Sequence, residues 1–204
     1  MDSERMASQL GFLREADKLK NILRHSRLTF ADRRENDAEH SWHLALAVMI
    51  LSEYADPGLD VLRTLEMVLI HDLVEIDAGD TIAYADSAAK AAQAKRERAA
   101  AERLFGLLPA DQGTRLRALF EEFEARRTRE ARFARALDRV QPILQNVHSG
   151  GVTWRENGIT PQRVRDLNRP IIRDASCVLW DRMEELIAQA EADGCFEPIP
   201  DPPR

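Results

Sequence analysis

The sequence predicts an all-α fold formed by one domain of 204 residues. Apolar residues recur at the three- and four-residue spacing of helices along almost the whole chain, and strand-like alternation bounded by turn residues is rare. Hydrophobic residues make up 44% and charged residues 31% of the chain, a balance typical of globular proteins that bury a core. Because single cores commonly grow to roughly 100 to 200 residues, we expect one helical domain over residues 1–204.

The first half of the chain contains two predicted helices and a polar connection. Apolar spacing predicts a helix over about residues 8–23 and a second helix that ends near residue 54. The stretch 24–37 is basic and polar, and it leads into the second helix. Asp56-Pro57-Gly58 then breaks the chain.

A third helix is predicted from Asp60 to about residue 76. Asp60 can cap this helix, because an aspartate side chain accepts hydrogen bonds from the free backbone amides of a first turn. The glycine-bearing turn at residues 77–81 ends the helix. Its apolar stripe contains Val61, Leu65, Val68 and Leu69.

The next part of the chain predicts two long helices with a shorter one between them. An alanine-rich, charged helix is expected over about residues 87–107, and the solvated face of a helix is the simplest interpretation of its charges. Pro109 suits the first position of the following helix. Another helix is expected over about residues 128–148, and Ser149-Gly150-Gly151 closes it.

The last part of the chain predicts a short helix and a final long one. We interpret the segment 149–158, which includes Trp154, as an ordinary connection in preference to a flap over a pocket. Thr160-Pro161 combines a cap with a first-turn proline, so a short helix starts there. The final helix is expected over about residues 170–192, and the proline-rich tail 197–204 is expected to be extended or mobile.

Charge and composition exclude several classes of partner. The net charge is −6, from 35 acidic and 29 basic residues, and this sign opposes the counterion release that binds extended nucleic acid or anionic membranes. The longest apolar run, residues 44–51, is too short to span a bilayer, and residues 1–5 lack the apolar segment of a secretory signal. Cys177 and Cys195 form no CxxC pair, which favours reduced cysteines in a cytoplasmic protein. A small phosphorylated substrate remains compatible with this charge, since a few arginines suffice to bind one phosphate.

His71 and Asp72 stand side by side in the apolar third helix. Adjacent side chains on a helix point about 100° apart, so a metal ion takes ligands from both only when it lies between the two directions. Such an ion needs further ligands from elsewhere in the chain. Without them the buried carboxylate would carry a large desolvation penalty, unless another cation or hydrogen bonds compensate.

His40 and Asp138 are the candidates for those further ligands. His40 opens the second helix on the apolar stripe of Leu44, Val48 and Leu51, so we expect its ring to point toward the core. Taken singly, a histidine in this position is more often a satisfied core residue, and an aspartate such as Asp138 is more often a salt-bridge partner. Together with the His-Asp pair, however, they offer two imidazoles and two carboxylates from three helices. Such a mixed set suits a catalytic divalent metal.

The ordered pattern of these residues is specific. It consists of Glu39-His40, His71-Asp72-Leu73-Val74-Glu75, Gly79-Asp80-Thr81 and Leu137-Asp138. The pattern resembles the HD superfamily, in particular the branch that contains bacterial 5′-deoxynucleotidases and related HD-domain hydrolases, and the likeness covers about residues 19–147. The resemblance implies a homodimer and one divalent metal, with the ion left open among Mn, Co, Mg, Fe, Ni and Zn. The implied ligands are His40, His71, Asp72 and Asp138.

The resemblance also implies roles for residues around the metal. Glu75 lies one helical turn beyond His71 and therefore on the same face, where it would orient or deprotonate the attacking water. Asp80 would contact the sugar or assist the leaving group, with Thr81 beside it as a substrate contact. Arg24 is the favoured ligand of the phosphate oxygens. A solvent-facing Glu75 and a turn-forming Asp80 remain open as alternatives.

The expected activity is metal-dependent hydrolysis of a phosphomonoester, with a nucleoside 5′-monophosphate as substrate. Some members of the branch place a tryptophan after the arginine, where this chain has His25, so strict deoxyribose preference does not follow. His43 is assigned to packing or to a contact with a metal ligand. The alternatives are hydrolysis of a nucleoside triphosphate or another small phosphoester, and a nonhydrolytic nucleotide-binding or scaffold protein with a structural metal.

Overall fold

The computed structural model describes residues 2–196, so the predicted tail at 197–204 lies outside the described residues. The chain folds into helices with one small hairpin, and the predicted all-α fold class is confirmed. The helices are α1 (Asp2–Ala16), α2 (Asp37–Leu51), α3 (Val61–Ile70), α4 (Glu75–Ala78), α5 (Ser87–Phe105), α6 (Ala110–Ala125), α7 (Arg129–His148), α8 (Val152–Glu156), α9 (Pro161–Ala175) and α10 (Cys177–Ala192). The strands are β1 (Leu23–Arg27) and β2 (Arg34–Asn36), and 3₁₀ turns cover Asp17–Asn21, Ser52–Tyr54 and His71–Val74.

The hairpin of β1 and β2 replaces the polar connection expected over residues 24–37. The two strands pair antiparallel, and the side chains that they bury are Ser26 and Glu35. Apolar alternation does not reveal a strand whose buried residues are polar. The prediction of a polar connection without strands is therefore wrong. The hairpin brings Arg24 beside Asp72 of the third helical segment.

The first and third helical segments differ from their predicted bounds. Helix α1 begins at Asp2, earlier than predicted. Its first turns are polar, so apolar spacing does not reveal them, and Arg5 stabilises them by donating two hydrogen bonds to Asp111. The predicted third helix is not continuous, since α3 ends at Ile70 and a 3₁₀ turn separates it from α4. The turn runs from His71 to Val74 and buries all four side chains. A 3₁₀ stretch within a helix often marks a functional site.

Two prolines lie at positions other than those predicted. Pro109 precedes α6 as its cap residue and is not its first residue. Pro170 lies inside α9, so the final helix begins at Cys177 and not at residue 170. Helix α9 continues through the proline because its buried face, which includes Val164 and Ile172, packs against α7 and α10. The predicted caps Asp60 and Thr160 are confirmed, and each accepts a hydrogen bond from the amide three residues later.

Helix α7 lies at the centre of the fold, where it packs against α2, α3, α6, α9 and α10. Its buried residues include Phe133, Leu137 and Val140, which belong to one apolar core with residues from α1 to α10. Asp138 and Gln141 are also buried in this helix. Helix α7 therefore brings polar side chains into the middle of the molecule.

Within residues 2–196, no helix is both long and apolar enough for a membrane crossing.

Candidate metal centre and adjoining cavity

The four residues proposed from sequence as metal ligands lie together in the interior. His40 comes from α2, His71 and Asp72 from the 3₁₀ turn, and Asp138 from α7, and all four are buried. Asp138 Oδ1 lies 3.1 Å from His40 Nε2 and 3.8 Å from His71 Nε2. His71 Nε2 lies 3.0 Å from Asp72 Oδ1. The structure therefore collects both imidazoles and both carboxylates at one point.

The two imidazoles present one ring nitrogen each to this point. His71 Nδ1 donates to the Val68 carbonyl at 2.9 Å, which leaves Nε2 buried and without a hydrogen-bond partner among the described residues. One ligand atom from each of His40, His71 and Asp72 lies within 4.8 Å of the others. Two buried imidazole nitrogens beside two carboxylates make a donor set that suits a divalent metal. The residues present therefore fit the ion that the sequence predicts.

Arg24 supplies positive charge to the same carboxylates. Its Nη1 lies 2.7 Å from Asp72 Oδ2 and 3.2 Å from Asp37 Oδ1. Its Nη2 and Nε lie 3.9 Å from Asp138 Oδ1 and 3.8 Å from Glu35 Oε2. The guanidinium predicted to hold phosphate is thus directed at carboxylates.

Burial and close charges shift the pKa values of several groups in the cluster. Burial lowers the pKa of His71, but the carboxylates of Asp72 and Asp138 outweigh burial and raise that pKa to about 10. Burial and the Asp72 charge raise the pKa of Asp37 to about 6. These carboxylates are close enough to resist ionising together unless positive charge lies among them.

Glu75 lies at the start of α4, beside the cluster, and it is buried. Burial, and then the charges of Asp72 and Asp37, raise the pKa of Glu75 well above its ordinary range. Its Oε2 has no hydrogen-bond partner among residues 2–196. The solvent-facing alternative for Glu75 is therefore wrong. Asp37, Asp72 and Glu75 also form a second group whose oxygens lie within 4.8 Å of one another.

A polar network behind His40 was not found from the sequence. His40 Nδ1 donates to Gln141 Oε1 at 3.1 Å, and Gln141 Nε2 in turn donates to Glu35 Oε1 at 2.8 Å. Gln145 Nε2 donates to the same Glu35 oxygen at 2.7 Å. His43 Nδ1 lies 3.3 Å from Gln141 Nε2, so His43 contacts the glutamine that in turn contacts His40. Gln141 lies three residues after Asp138 on α7, and that helical spacing is the one signal the sequence offered.

A cavity of about 400 Å³ adjoins the cluster, and it is the volume in which a substrate would lie. Asp80 and Thr81 line it, together with His25 and Glu75. Asp80 Oδ2 accepts a hydrogen bond from the His25 amide at 3.2 Å, and the Thr81 hydroxyl donates to Gln93 Oε1 at 3.0 Å. The structure thus places both residues at the cavity, and their roles as substrate contacts stay predictions.

The segment 149–158 is more than the ordinary connection that the sequence favoured. It contains α8, and the buried Trp154 of this helix lines the cavity and stacks on Phe196 at a centroid distance of 4.4 Å. The Thr153 hydroxyl donates to the His25 carbonyl at 3.2 Å, which fixes α8 to β1. The interpretation as a plain connection is therefore wrong, because apolar packing and this bond hold the segment against the site.

Comparison with known proteins agrees with this geometry. A family model described as "HD domain" matches residues 16–180. The chain is similar to 5′-deoxynucleotidase HDDC2 of Xenopus laevis, with 34% identity over 160 residues that cover 78% of this chain and 75% of the relative. The human 5′-deoxynucleotidase HDDC2 is 34% identical over 139 residues, which cover 68% of this chain and 66% of the relative.

A solved structure extends the likeness over nearly the whole chain. It is the crystal structure of a predicted metal-dependent phosphohydrolase from Magnetospirillum magnetotacticum, with a TM-score of 0.89 and 48% sequence identity. The match covers 95% of this chain and 96% of that one. A family model over most of the chain and relatives above 30% identity lead to the same assignment. The chain belongs to the HD domain family.

Proposed function

We propose that this HD-domain protein is a metal-dependent phosphohydrolase that cleaves a nucleoside 5′-monophosphate to a nucleoside and phosphate. The observation that carries the proposal is the buried meeting of His40, His71, Asp72 and Asp138 beside a cavity of about 400 Å³. The relatives named 5′-deoxynucleotidases support the nucleotide as substrate. Family membership and these relatives together show the class of reaction, which is metal-dependent phosphoester hydrolysis.

His40, His71, Asp72 and Asp138 would hold the ion. A bound divalent metal lowers the pKa of water and polarises a phosphate group. The choice among Mn, Co, Mg, Fe, Ni and Zn does not follow from the ligands, since mixed imidazole and carboxylate sites accept several of them. A metal among these carboxylates would compete with Arg24 for Asp72, because the two now lie 2.7 Å apart.

Glu75 is the proposed acid-base residue. Its carboxylate is buried beside the cluster and lines the cavity, so it can orient the attacking water and accept a proton from it. Burial and the charges of Asp72 and Asp37 raise the pKa of Glu75, which makes its carboxylate a stronger base than an exposed glutamate. Asp80 and Thr81 are proposed contacts of the sugar or of the leaving 5′-oxygen, because both line the same cavity.

Arg24 remains a predicted phosphate ligand. Each of its three guanidinium nitrogens has a carboxylate oxygen within 4.0 Å in the described structure. A phosphate would therefore have to share these donors with Asp72 and Asp37. The sugar preference is also a prediction. His25, which follows Arg24 in the sequence, lines the cavity, and we expect the site to accept ribose as well as deoxyribose.

We further propose a homodimer that forms through the outer face of α2, and a cytoplasmic location. Trp42, Met49 and Ile50 share this face and are 62%, 63% and 65% exposed. Large exposed apolar patches on a soluble domain are typical of protein interfaces. Sedimentation equilibrium tests the dimer, and Ile50→Glu should yield monomers, whereas Val178→Glu on α10 should not. A monomeric wild-type protein would contradict it.

The experiment that tests the proposed activity measures phosphate release from ribo- and deoxyribonucleoside 5′-monophosphates. The purified protein is stripped and then reloaded with manganese, cobalt, magnesium or zinc. We expect metal-dependent release, and equal rates for the two sugars would agree with His25 in place of tryptophan. Release from triphosphates alone would favour the alternative substrate. Stoichiometric metal binding without any release would favour the nonhydrolytic alternative.

A further inference from the structure

Two arginines lie on the side of Asp138 that faces away from the imidazoles. Arg135 Nη1 lies 3.2 Å and Arg139 Nε lies 3.8 Å from Asp138 Oδ2, while Asp138 Oδ1 faces His40 and His71. The two oxygens of one carboxylate therefore separate the candidate metal ligands from a pair of guanidinium groups. An anion bound by the arginines near Oδ2 would therefore lie close to a metal ion bound near Oδ1.

The two guanidinium groups carry more positive charge than their surroundings balance. Among the described residues, Asp138 Oδ2 is the one carboxylate oxygen within 4.0 Å of either group. The side chains of Arg135 and Arg139 are 17% and 15% exposed, and each buries an Nε atom that has no hydrogen-bond partner among residues 2–196. Two like charges that are partly buried side by side are costly unless an anion lies between them.

More cations lie along the same wall of the cavity. Lys90 of α5 and Arg126 at the end of α6 line the cavity with the two arginines. Both are exposed, and in the described part of the chain neither has a carboxylate oxygen within 4.0 Å. Besides Asp138, the acidic residues on this wall are Glu97 and Glu124, and neither of these two forms an ion pair with the cations there. The wall therefore has an excess of positive charge that faces open volume.

We propose that Arg135 and Arg139 form an anion site that binds a phosphoryl group of the substrate, across Asp138 from the metal centre. The inference rests on the proposed function for the identity of the substrate. Guanidinium groups bind phosphate oxygens through paired, charge-assisted hydrogen bonds, and a phosphate dianion would balance two of them. Arg24, the phosphate ligand predicted from the sequence, lies instead among the carboxylates of Asp37 and Asp72.

The phosphoryl group has two possible sources with the same chemistry. One is the group that is cleaved, which must lie next to the metal centre. The other is a second phosphoryl group of a longer nucleotide, which would lie further along the wall toward Lys90. Comparison of a nucleoside 5′-monophosphate with the corresponding 3′,5′-bisphosphate distinguishes the two sources.

The test uses Arg135→Gln and Arg139→Gln, with Arg139→Lys as a conservative variant that retains the charge. Arg132→Gln is the matched control, since Arg132 lies on the same helix but pairs with Asp56 and Asp174 outside the cavity. Inorganic phosphate is titrated into the metal-loaded proteins in a calorimeter, and KM is measured for both nucleotides. Metal content and thermal midpoint establish that each variant is folded and loaded.

We expect phosphate binding to weaken by about 10- to 100-fold in either glutamine variant, because a charged hydrogen-bond donor to a dianion is lost. Arg139→Lys should lie between the wild type and Arg139→Gln. A KM that rises for the monophosphate assigns the site to the cleaved group, and one that rises for the bisphosphate alone assigns it to a second group. Phosphate affinity and both KM values equal to those of Arg132→Gln would overturn the proposal. Because calorimetry needs no turnover, weaker phosphate binding in a protein that hydrolyses neither nucleotide would retain the anion site while the proposed function fails.

Discussion

The two walls of the cavity differ in the sign of their charge. The wall built from β1, the 3₁₀ turn and the start of α4 carries the carboxylates of Asp72 and Glu75, and Arg24 lies beside Asp72. A second wall, from α5 and α7, carries the arginines that share Asp138 Oδ2. A site that must bind a metal cation and a phosphate anion side by side needs such a separation, since each ion stabilises the other.

The difference also assigns a distinct task to each wall. Groups on the carboxylate wall should control metal binding and the activation of water. Groups on the arginine wall should control the affinity for phosphate without changing metal content. Substitutions that affect one property and leave the other unchanged would support the separation.

The largest effect is expected from the carboxylate wall. His71→Ala removes an imidazole whose Nε2 is buried among carboxylates, and we expect loss of stoichiometric metal binding and a fall in hydrolysis of about 10³-fold or more. Metal analysis after dialysis and phosphate-release kinetics measure the two quantities. His148→Ala, at the exposed end of α7, is the matched control and should behave as wild type. Full metal content in His71→Ala would remove His71 from the ligand set.

Glu75→Gln should separate metal binding from chemistry. The substitution keeps the size of the side chain but removes the base, so we expect hydrolysis to fall by about 10²- to 10⁴-fold while the metal is retained. The same two assays apply, with the exposed Glu121→Gln as control. Wild-type turnover in Glu75→Gln would favour the nonhydrolytic alternative or another base.

A smaller effect is expected behind His40. Gln141→Met removes the acceptor of the His40 Nδ1 hydrogen bond, which now holds the ring so that Nε2 faces the cluster. Loss of such an outer contact typically weakens metal affinity by about 10- to 100-fold. Competition with a chelator measures that affinity, and the exposed Gln189→Met on α10 serves as control. Unchanged metal affinity in Gln141→Met would show that α2 packing alone orients His40.

The sequence predicted the metal ligands because they stand in a recognisable pattern inside apolar helices. His40, His71, Asp72 and Asp138 interrupt stripes that otherwise read as core, and their order is that of the HD superfamily. The structure brings all four together, but their role in metal binding stays a proposal.

The remainder of the site depends on contacts between residues far apart in the chain. Glu35 is buried because Gln141 and Gln145 donate to it, and neither glutamine carries a local signal of that bond. The hairpin was missed for the same reason, since its buried residues are polar. The break at His71 was missed because the apolar spacing of α3 continues into the 3₁₀ turn. Periodicity therefore predicts the helices and the core, but it does not predict how buried polar groups satisfy one another.

The most direct test of the metal centre is a crystal structure of the manganese-loaded protein, with anomalous diffraction data collected near the manganese absorption edge. We expect one anomalous peak in direct contact with His40 Nε2, His71 Nε2, Asp72 and Asp138. A peak among Asp37, Asp72 and Glu75 alone, or no peak at these residues, would contradict the proposed metal centre.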